Sequence, residues 1–536
     1  MNFNVLENRY PSIRNVMYAP RGAVATSNPL AAQAGLDMIK KGGNAVDAAV
    51  ATAAALSVVE PTSNGIGGDA YSQVWIESEK KLYALNSSGF APELMKSENY
   101  KDMDKMPLYG FDAVTVPGIP ASWGELNRKF GKLSLEECLK PAIDYAENGY
   151  IIYPNVAKLW RESFDIYSKE FKTEEFEEWF RVFAPDGKCP EAGDMFKCKE
   201  QAETLRELAK TNCESFYRGD LADKIDSFSR RYNGAIRKSD LEKFRPEWVE
   251  PIKTDYRGYT ISELPPNGHG ITVLMALNIM EGFETGNERD TDINIHRMIE
   301  SMKLAFSDSK KYVTDKNEMT VSVEAMLNKN YASERRKLIS ENAIYPKSGE
   351  PFCGGTVYLC TADKDGNMVS HIQSNYMNFG SGLVVPETGI ALHNRANNFS
   401  TDPEHDNFVK PFKKPYHTII PGFILKDGEA IGPFGVMGAF MQPQGQFQVI
   451  TNLIDYNMNP QEALDAPRWQ WIDGMRIEVE SDMPQNVIDG LIKRNHDVKV
   501  VENKITMGRG QIIMKNKNGG YICATEKRCD GHVAVW

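Results

Sequence analysis

The run from Ala45 to Val59 constrains the fold of this chain more than any other segment. It consists of small and apolar residues with Asp47 as its single charge. It is also shorter than the stretch of about 18 residues that indicates a membrane span. Asn44 and Asp47 are spaced as a capping box at a helix start. A helix with no polar face must be covered on all sides, so this run predicts layers of structure around it.

The segments beside this run support a layered α/β fold. An earlier helix is predicted to begin at Asn28, with Pro29 in its first turn. A Gly-rich turn over 65–69 follows the apolar run, and strand-like residues occupy 71–75 and 82–85. Helices next to strands favour an architecture in which helical layers cover a sheet.

Composition excludes several classes of partner. The 536 residues allow one to three domains. The chain has 62 basic and 73 acidic residues, a net charge of −11 and no basic stripe, which argues against nucleic acid. Residues 1–14 lack the apolar centre of a signal peptide, so we expect a cytoplasmic protein without a membrane partner. The eight cysteines form no C-x-x-C pair, which predicts free thiols and no metal site.

After residue 346 the residue pattern changes from a helical to a strand period, and the segment that follows is the most informative part of the sequence. Residues 346–351 read as an exposed connector, and β-branched and aromatic runs follow over 356–362 and 367–374. The four residues from Asp363 to Gly366 suit a type I turn with Gly366 in the left-handed conformation. Pairs in this hairpin sum to 730, which places Thr356 opposite Ser374 with Cβ atoms about 5 Å apart. On spacing alone, such a pair is also ordinary sheet chemistry.

Several ordered motifs resemble the γ-glutamyltransferase (γ-glutamyltranspeptidase) family. They cover some 450 residues, and the most diagnostic places Gly355-Thr356 ahead of the hairpin turn. The motifs are Gly42 to Val50, Gly65 to Asp69, Thr115 to Gly118, Met302 to Phe306, Gly355-Thr356 with Asp363 to Asn367, and Ala466 to Trp469.

Membership implies an N-terminal-nucleophile hydrolase with a four-layer αββα sandwich. The precursor would cut itself between Gly355 and Thr356, and residues 1–355 and 356–536 would stay together as the large and small subunits of one domain. Thr356 would then be the nucleophile, with its new α-amino group as the base. The reference pKa of such an amine is about 7.7–8.0, so part of it is unprotonated at neutral pH. The resemblance implies no cofactor.

The resemblance also assigns groups that assist Thr356. Ser374 stands where the family carries a second hydroxyl, usually Thr, and it would orient the nucleophile. Gly438 and Ala439 stand where a Gly-Gly pair supplies backbone N–H groups to the oxyanion. Ala439 can serve provided that its φ is negative. A plain glycine-containing loop is the alternative interpretation of this stretch.

Departures from the family pattern concern the substrate. Ser88 stands where the family has the arginine that binds the glutamyl α-carboxylate. Asn397 and Asn398 stand where a carboxylate binds the α-ammonium. A serine does not replace a bidentate arginine, so these changes argue against recognition of a free α-amino acid head group.

Other positions are similar to the branch that includes oxamate amidohydrolases and cephalosporin acylases. Arg395, Tyr376 and the pair His417-Thr418 replace Gln, Asn and a Ser-Ser pair of the family. We hypothesise that Arg395, with help from His417, binds the carboxylate of a small amide substrate. A structural salt bridge for Arg395 and a hydrogen-bonding role in the core for His417 are the alternatives.

Three functions therefore compete. The first is a self-processed amide hydrolase or acyltransferase that makes an acyl-enzyme at Thr356. The second is a true glutathione hydrolase in which other residues replace the missing groups. The third is an uncleaved, non-catalytic binding relative. The acyl donor, the choice of water or an amine as acceptor, and further assembly of the heterodimer are not determined by the sequence.

Overall fold

Two seven-stranded antiparallel sheets pack face to face, and helices cover both outer surfaces. The computed structural model describes residues 1, 9–11, 14–346 and 356–536. Within them the order of layers is helix, sheet, sheet, helix. The predicted four-layer αββα sandwich is therefore confirmed.

The helices lie mainly in the first two thirds of the chain. In chain order they are α1 (Pro29–Lys40), α2 (Ala45–Val59), α3 (Ile119–Phe130), α4 (Leu135–Asn148), α5 (Pro154–Glu170), α6 (Glu177–Phe183), α7 (Lys199–Lys210), α8 (Ser215–Arg218), α9 (Asp220–Arg231), α10 (Lys238–Lys243), α11 (Gly270–Met280), α12 (Asp292–Tyr312), α13 (Val323–Met326), α14 (Lys329–Arg336), α15 (Met441–Ile454), α16 (Pro460–Asp465) and α17 (Gln485–Lys493).

The strands come from both ends of the chain. They are β1 (Met17–Ala19), β2 (Ala23–Thr26), β3 (Asp69–Ile76), β4 (Lys81–Ser87), β5 (Tyr150–Ile151), β6 (Met195–Phe196), β7 (Glu247–Val249), β8 (Ile252–Tyr256), β9 (Tyr259–Glu263), β10 (Val357–Ala362), β11 (Met368–Ser374), β12 (Val384–Val385), β13 (Ile390–Ala391), β14 (Gly422–Lys426), β15 (Glu429–Met437), β16 (Trp469–Asp473), β17 (Arg476–Glu480), β18 (Asp497–Val501), β19 (Arg509–Lys515), β20 (Tyr521–Thr525) and β21 (His532–Val535).

The two large sheets meet at their central strands. One has the order β21-β2-β10-β11-β3-β4-β7, and the other has the order β1-β20-β19-β15-β14-β9-β8. Helices α1 and α2 cover the first sheet, and α11 and α15 cover the second. The sheets approach closely where Gly435 of β15 faces Tyr358 of β10, because a Cβ at 435 would lie 2.4 Å from the tyrosine ring. A side chain at 435 would therefore push the sheets apart.

Helix α2 is buried along its whole length, as its composition predicts. The predicted capping box at Asn44 and Asp47 is present. The Asp47 carboxylate also accepts hydrogen bonds from the backbone N–H groups of Lys132 and Leu133. These contacts compensate for the burial of its single charge.

The β10–β11 hairpin has the register that the sequence predicts. Val357 pairs with Gln373, and Ala362 pairs with Met368. Gly366 closes the turn with a φ of +89°. The pairing places Thr356, immediately before β10, across from Ser374 at the end of β11.

The described residues also test two predictions from composition. Every helix in them is too short or too polar to cross a bilayer. The cysteines in this part of the chain are buried and free, as predicted, whereas Cys353 lies outside the described residues.

We predict that Asp363 stabilises the hairpin and Asp365 does not. The buried Asp363 carboxylate accepts bonds from Ala45 N at 3.0 Å, Asp365 N at 2.9 Å and Asn367 N at 3.1 Å. Asp363→Ala leaves these donors unpaired and should lower the free energy of unfolding in urea by about 3 kcal/mol.

Asp365→Ala is the matched control. Its half-exposed side chain forms one ion pair with Lys132 at 3.1 Å, so the expected loss is below about 1 kcal/mol. Equal losses for the two variants would contradict this role for Asp363.

Candidate active site

Thr356 and Ser374 meet at the buried end of the hairpin. The Thr356 hydroxyl donates to Ser374 Oγ at 3.1 Å. The Tyr376 N–H donates to the same oxygen at 2.7 Å. Both hydroxyl-bearing side chains are fully buried. The predicted cleavage bond involves Gly355, which lies outside the described residues.

Gln442 is a contact of Thr356 that the sequence analysis missed. Its Nε2 donates to Thr356 Oγ1 at 3.3 Å, and its Oε1 accepts from Ile420 N at 3.0 Å. Gln442 is in the first turn of α15, which begins at Met441. Its position just after Gly438-Ala439, in a buried helix start, is the sequence signal that would have indicated it.

The start of α15 also carries the predicted oxyanion donors. The carbonyl groups of Gly438 and Ala439 accept from the N–H groups of Met441 and Gln442 at 2.9 and 3.0 Å. Within the described residues, the N–H groups of Gly438 and Ala439 donate no hydrogen bond. The positive end of the helix dipole lies at the same place and favours an anion.

The negative φ that Ala439 would need as an oxyanion donor is not observed. The φ of Ala439 is +47° rather than negative, and Gly438 has a φ of +137°. The left-handed region costs an L-residue about 1–2 kcal/mol. Tyr376, whose N–H donates to Ser374, also has a positive φ of 74°. Backbone with a positive φ therefore occurs in two segments at this site, which is common at functional sites.

A buried carboxylate, Asp69, lies next to Ser374 in the sheet register. Its Oδ2 is 2.9 Å from His417 Nε2, 3.0 Å from His393 Nδ1 and 3.4 Å from Arg395 Nε. Burial alone raises the pKa of Asp69, but His393 and His417 outweigh burial and hold that pKa well below its usual range. The group stays ionised and fixes three side chains around itself.

Arg395 is only partly satisfied by these contacts. It begins the 3-10 helix Arg395–Asn398. Its Nη1 donates to Thr418 Oγ1 at 2.8 Å, and its guanidinium carbon lies 4.7 Å from the centroid of the Tyr376 ring. The pair with Asp69 is close but poorly aligned, so Nε and Nη2 have no hydrogen-bond partner among the described residues. A fully buried guanidinium with free N–H groups is able to receive an anionic ligand.

The other predicted site residues differ in whether their polar side-chain atoms have hydrogen-bond partners within the protein. His417 pairs with Asp69, and burial, followed by the charge of Arg395, lowers its pKa to about 3. The Ser88 hydroxyl donates to Asn86 at 2.8 Å. Asn397 Nδ2 donates to Met106 O at 2.7 Å. Asn398 Nδ2 is buried and has no partner among the described residues. Of these predicted site residues, Arg395 and Asn398 have buried side-chain nitrogens without a hydrogen-bond partner among the described residues.

One cluster of metal-ligand type occurs in the described part of the chain. His296, Glu300 and His496 bring their ligand atoms within 4.8 Å of one another. The buried Lys303 ammonium lies 2.8 Å from Glu300 Oε1 and neutralises it. A cation at this position would have to displace the lysine.

Comparison with known proteins extends over nearly the whole chain. Residues 31–536 match the sequence model of the family described as Gamma-glutamyltranspeptidase. The crystal structure of cephalosporin acylase from Bacillus halodurans is similar, with a TM-score of 0.95 and 53% identity, over 100% of this chain and 99% of that one.

Two curated relatives are similar over comparable lengths. The Glutathione hydrolase-like YwrD proenzyme of Bacillus subtilis is 35% identical over 518 residues, 95% of this chain and 97% of that protein. The oxamate amidohydrolase proenzyme of Klebsiella pneumoniae is 31% identical over 531 residues, 96% of this chain and 98% of that protein. The resemblance that the motifs indicate is therefore confirmed.

We predict that His417 destabilises the fold in mild acid. In the unfolded chain a histidine takes up a proton near pH 6.5, whereas the folded pKa of His417 is about 3. Between these values the unfolded state binds the extra proton, so stability falls as pH falls. The loss from this residue between pH 7 and pH 5 should be about 2 kcal/mol.

Urea unfolding of wild type and His417→Gln at both pH values measures this loss. The variant removes the titrating ring and should show a smaller decrease between pH 7 and pH 5. The same decrease in both proteins would contradict the assignment.

Proposed function

This chain belongs to the γ-glutamyltranspeptidase family, and we propose that it is a proenzyme that cuts itself before Thr356 and then uses Thr356 to hydrolyse or transfer acyl groups from amides. The observation that carries the proposal is the hydrogen-bonded contact of Thr356 Oγ1 with Ser374 and Gln442. The large and small subunits would be residues 1–355 and 356–536. The proenzyme names of the two curated relatives support the processing step.

Processing needs only groups of the chain and water. Thr356 Oγ attacks the carbonyl carbon of residue 355, the C–N bond breaks, and the proton of the hydroxyl passes to the new amine. Water then hydrolyses the resulting ester and releases residue 355 as a carboxylate. Ser374 accepts a hydrogen bond from the Thr356 hydroxyl. This bond orients the hydroxyl so that a lone pair of Thr356 Oγ points away from Ser374.

Catalysis repeats this chemistry on a substrate. The free amine of Thr356 takes the hydroxyl proton as Oγ attacks the substrate carbonyl, and the same proton then leaves with the departing amine. The acyl group stays on Oγ until water or a second amine removes it. Gln442 Nε2 stabilises negative charge on Oγ, and the N–H group of Gly438, which donates no hydrogen bond within the described residues, is available to the carbonyl oxygen. Ala439, whose φ is positive, does not meet the condition for a second donor.

The acyl group that fits the site carries a carboxylate. Among the described residues, Nη2 of the fully buried Arg395 has no partner, and a carboxylate is the ligand that matches a guanidinium. Position 88 has a serine rather than a cationic side chain, and the Ser88 hydroxyl donates a hydrogen bond to Asn86. Monoamides of dicarboxylic acids therefore suit the site better than γ-glutamyl amides.

The first prediction concerns self-cleavage. Intact-mass measurement of purified wild type should give fragments of residues 1–355 and 356–536, and Thr356→Ala should give a single chain because it lacks the hydroxyl. Thr361→Ala is the matched control, since this buried threonine of β10 donates to Ala45 O instead. It should cleave like wild type.

An intact wild-type chain would support a non-catalytic relative. Cleavage of Thr356→Ala at the same bond would contradict Thr356 as the nucleophile.

The second prediction concerns Arg395. Arg395→Met should raise the KM of a dicarboxylic monoamide relative to that of a neutral amide of equal length by about ten- to a hundredfold, because a charge-assisted pair is lost. Arg395→Lys keeps the charge without the planar fork and should give an intermediate ratio.

An unchanged ratio in Arg395→Met would exclude this role. Faster release of glutamate from glutathione than turnover of any dicarboxylic monoamide by wild type would favour the glutathione hydrolase alternative.

A further inference from the structure

Glu263 is a buried acidic residue to which the proposed reaction gives no role. It is the last residue of β9, and its side chain is fully buried. Neither oxygen of its carboxyl group has a hydrogen-bond partner among the described residues. Burial disfavours the charged form and raises the pKa of Glu263 well above its usual range. The carboxyl group is therefore uncharged at neutral pH and has one O–H group to donate.

The strand register shows on which face of the second sheet Glu263 lies. Ser262 pairs with Phe423 of β14, so the same register continued by one residue places Glu263 beside Gly422. Paired residues of adjacent strands have their side chains on the same face, with Cβ atoms about 5 Å apart. A Cβ at Gly270, the first residue of α11, would lie 2.7 Å from Glu263 Cβ. The Glu263 side chain is therefore on the face that α11 and α15 cover.

Gln446 of α15 brings an amide oxygen to the same place. A Cβ at Gly422 would lie 3.0 Å from Gln446 Oε1. The other end of this amide, Nε2, donates to Ile420 O at 2.7 Å. Because a carbonyl oxygen only accepts hydrogen bonds, this contact fixes which end of the amide is the oxygen. Gln446 Oε1 is buried and receives no hydrogen bond from the part of the chain that the structure describes. An acceptor without a donor thus lies beside Gly422, next to the Glu263 position.

Hydrogen bonds connect Gln446 to the candidate nucleophile. Gln442 lies four residues earlier on α15, on the same side of the helix. The two glutamines bind both backbone polar groups of Ile420, since Ile420 N donates to Gln442 Oε1 at 3.0 Å. Gln442 Nε2 then donates to Thr356 Oγ1 at 3.3 Å. Amides that donate and accept in one chain polarise and orient each other, so a bond lost at one end weakens the next.

We infer that Glu263, in its neutral form, donates a hydrogen bond to Gln446 Oε1. Through Ile420 this bond positions Gln442 for its contact with Thr356. Glu263 is thus a positioning residue that acts through two glutamines without touching the substrate. Its effect on turnover rests on the proposed function, because that effect is exerted at Thr356. The bond needs a donor and no charge at position 263, so glutamine is able to replace the glutamate there.

Two substitutions at position 263 separate donation from charge. Glu263→Gln keeps a donor, and the self-cleaved variant should turn over the best amide substrate at the wild-type rate. Glu263→Met keeps a similar shape without a donor. It should lower kcat about ten- to a hundredfold with little change in KM, because a slightly misplaced catalytic group loses that much. Gln448→Met is the control on the same helix, since Gln448 Nε2 donates to Trp469 O instead, and it should keep the wild-type kcat.

Two further measurements test the contact without turnover. The infrared spectrum of wild type at neutral pH, minus that of Glu263→Gln, should contain the C=O band of a protonated carboxylic acid. Urea unfolding of Glu263→Met, Gln446→Met and the double variant should be non-additive. Either single change should lower the midpoint, and the second should lower it little further, because the two groups share one hydrogen bond.

Four results would overturn the inference. One is a loss of kcat in folded Glu263→Gln as large as in Glu263→Met, which would require the carboxyl group itself. The others are a wild-type kcat in folded Glu263→Met, additive midpoint shifts for positions 263 and 446, and a difference spectrum without the band. Failure of the proposed function gives a different pattern, in which wild type hydrolyses no amide while the band and the non-additivity persist.

Discussion

The pairing of β10 with β11 is the constraint on which the rest of the site depends. A shift of one residue in this register would turn every side chain of the hairpin to the opposite face. Asp363 fixes the turn and also binds the first residue of α2, so the register is tied to the buried helix behind the sheet. The hydroxyl groups of Thr356 and Ser374 meet because this register is fixed at the far end of the hairpin.

The second sheet supplies further groups that approach Thr356. Strand β15 leads through Gly438 and Ala439 into α15, so backbone donors, a helix start and Gln442 all approach Thr356 from the facing layer. Asp69 holds His393, Arg395 and His417 on the other side. Removing one partner from such a buried ionic group usually lowers the free energy of unfolding by several kcal/mol. The nucleophile and the candidate carboxylate receptor are therefore positioned by separate elements that share one buried edge.

Local patterns were sufficient to predict the parts of the fold that depend on short-range chemistry. The capping box at Asn44, the all-buried α2 and the hairpin register follow from residue types at fixed spacing. The φ of Ala439 could not be found in this way, because it depends on how α15 packs on the second sheet. His417 and Arg395 both contact Asp69, and their positions likewise result from contacts between distant segments. The threonine nucleophile, the cytoplasmic location and the subunit boundary stay predictions.

The central claim is that Thr356 carries the acyl group during turnover. The most direct measurement is peptide mass analysis of the cleaved protein after rapid acid quench from a reaction with the p-nitrophenyl monoester of a dicarboxylic acid. We predict a mass increase of one acyl group on the peptide that begins with Thr356, removable by hydroxylamine as expected of an ester. An acyl group on another residue, or turnover without any adduct on this peptide under burst conditions, would contradict the claim.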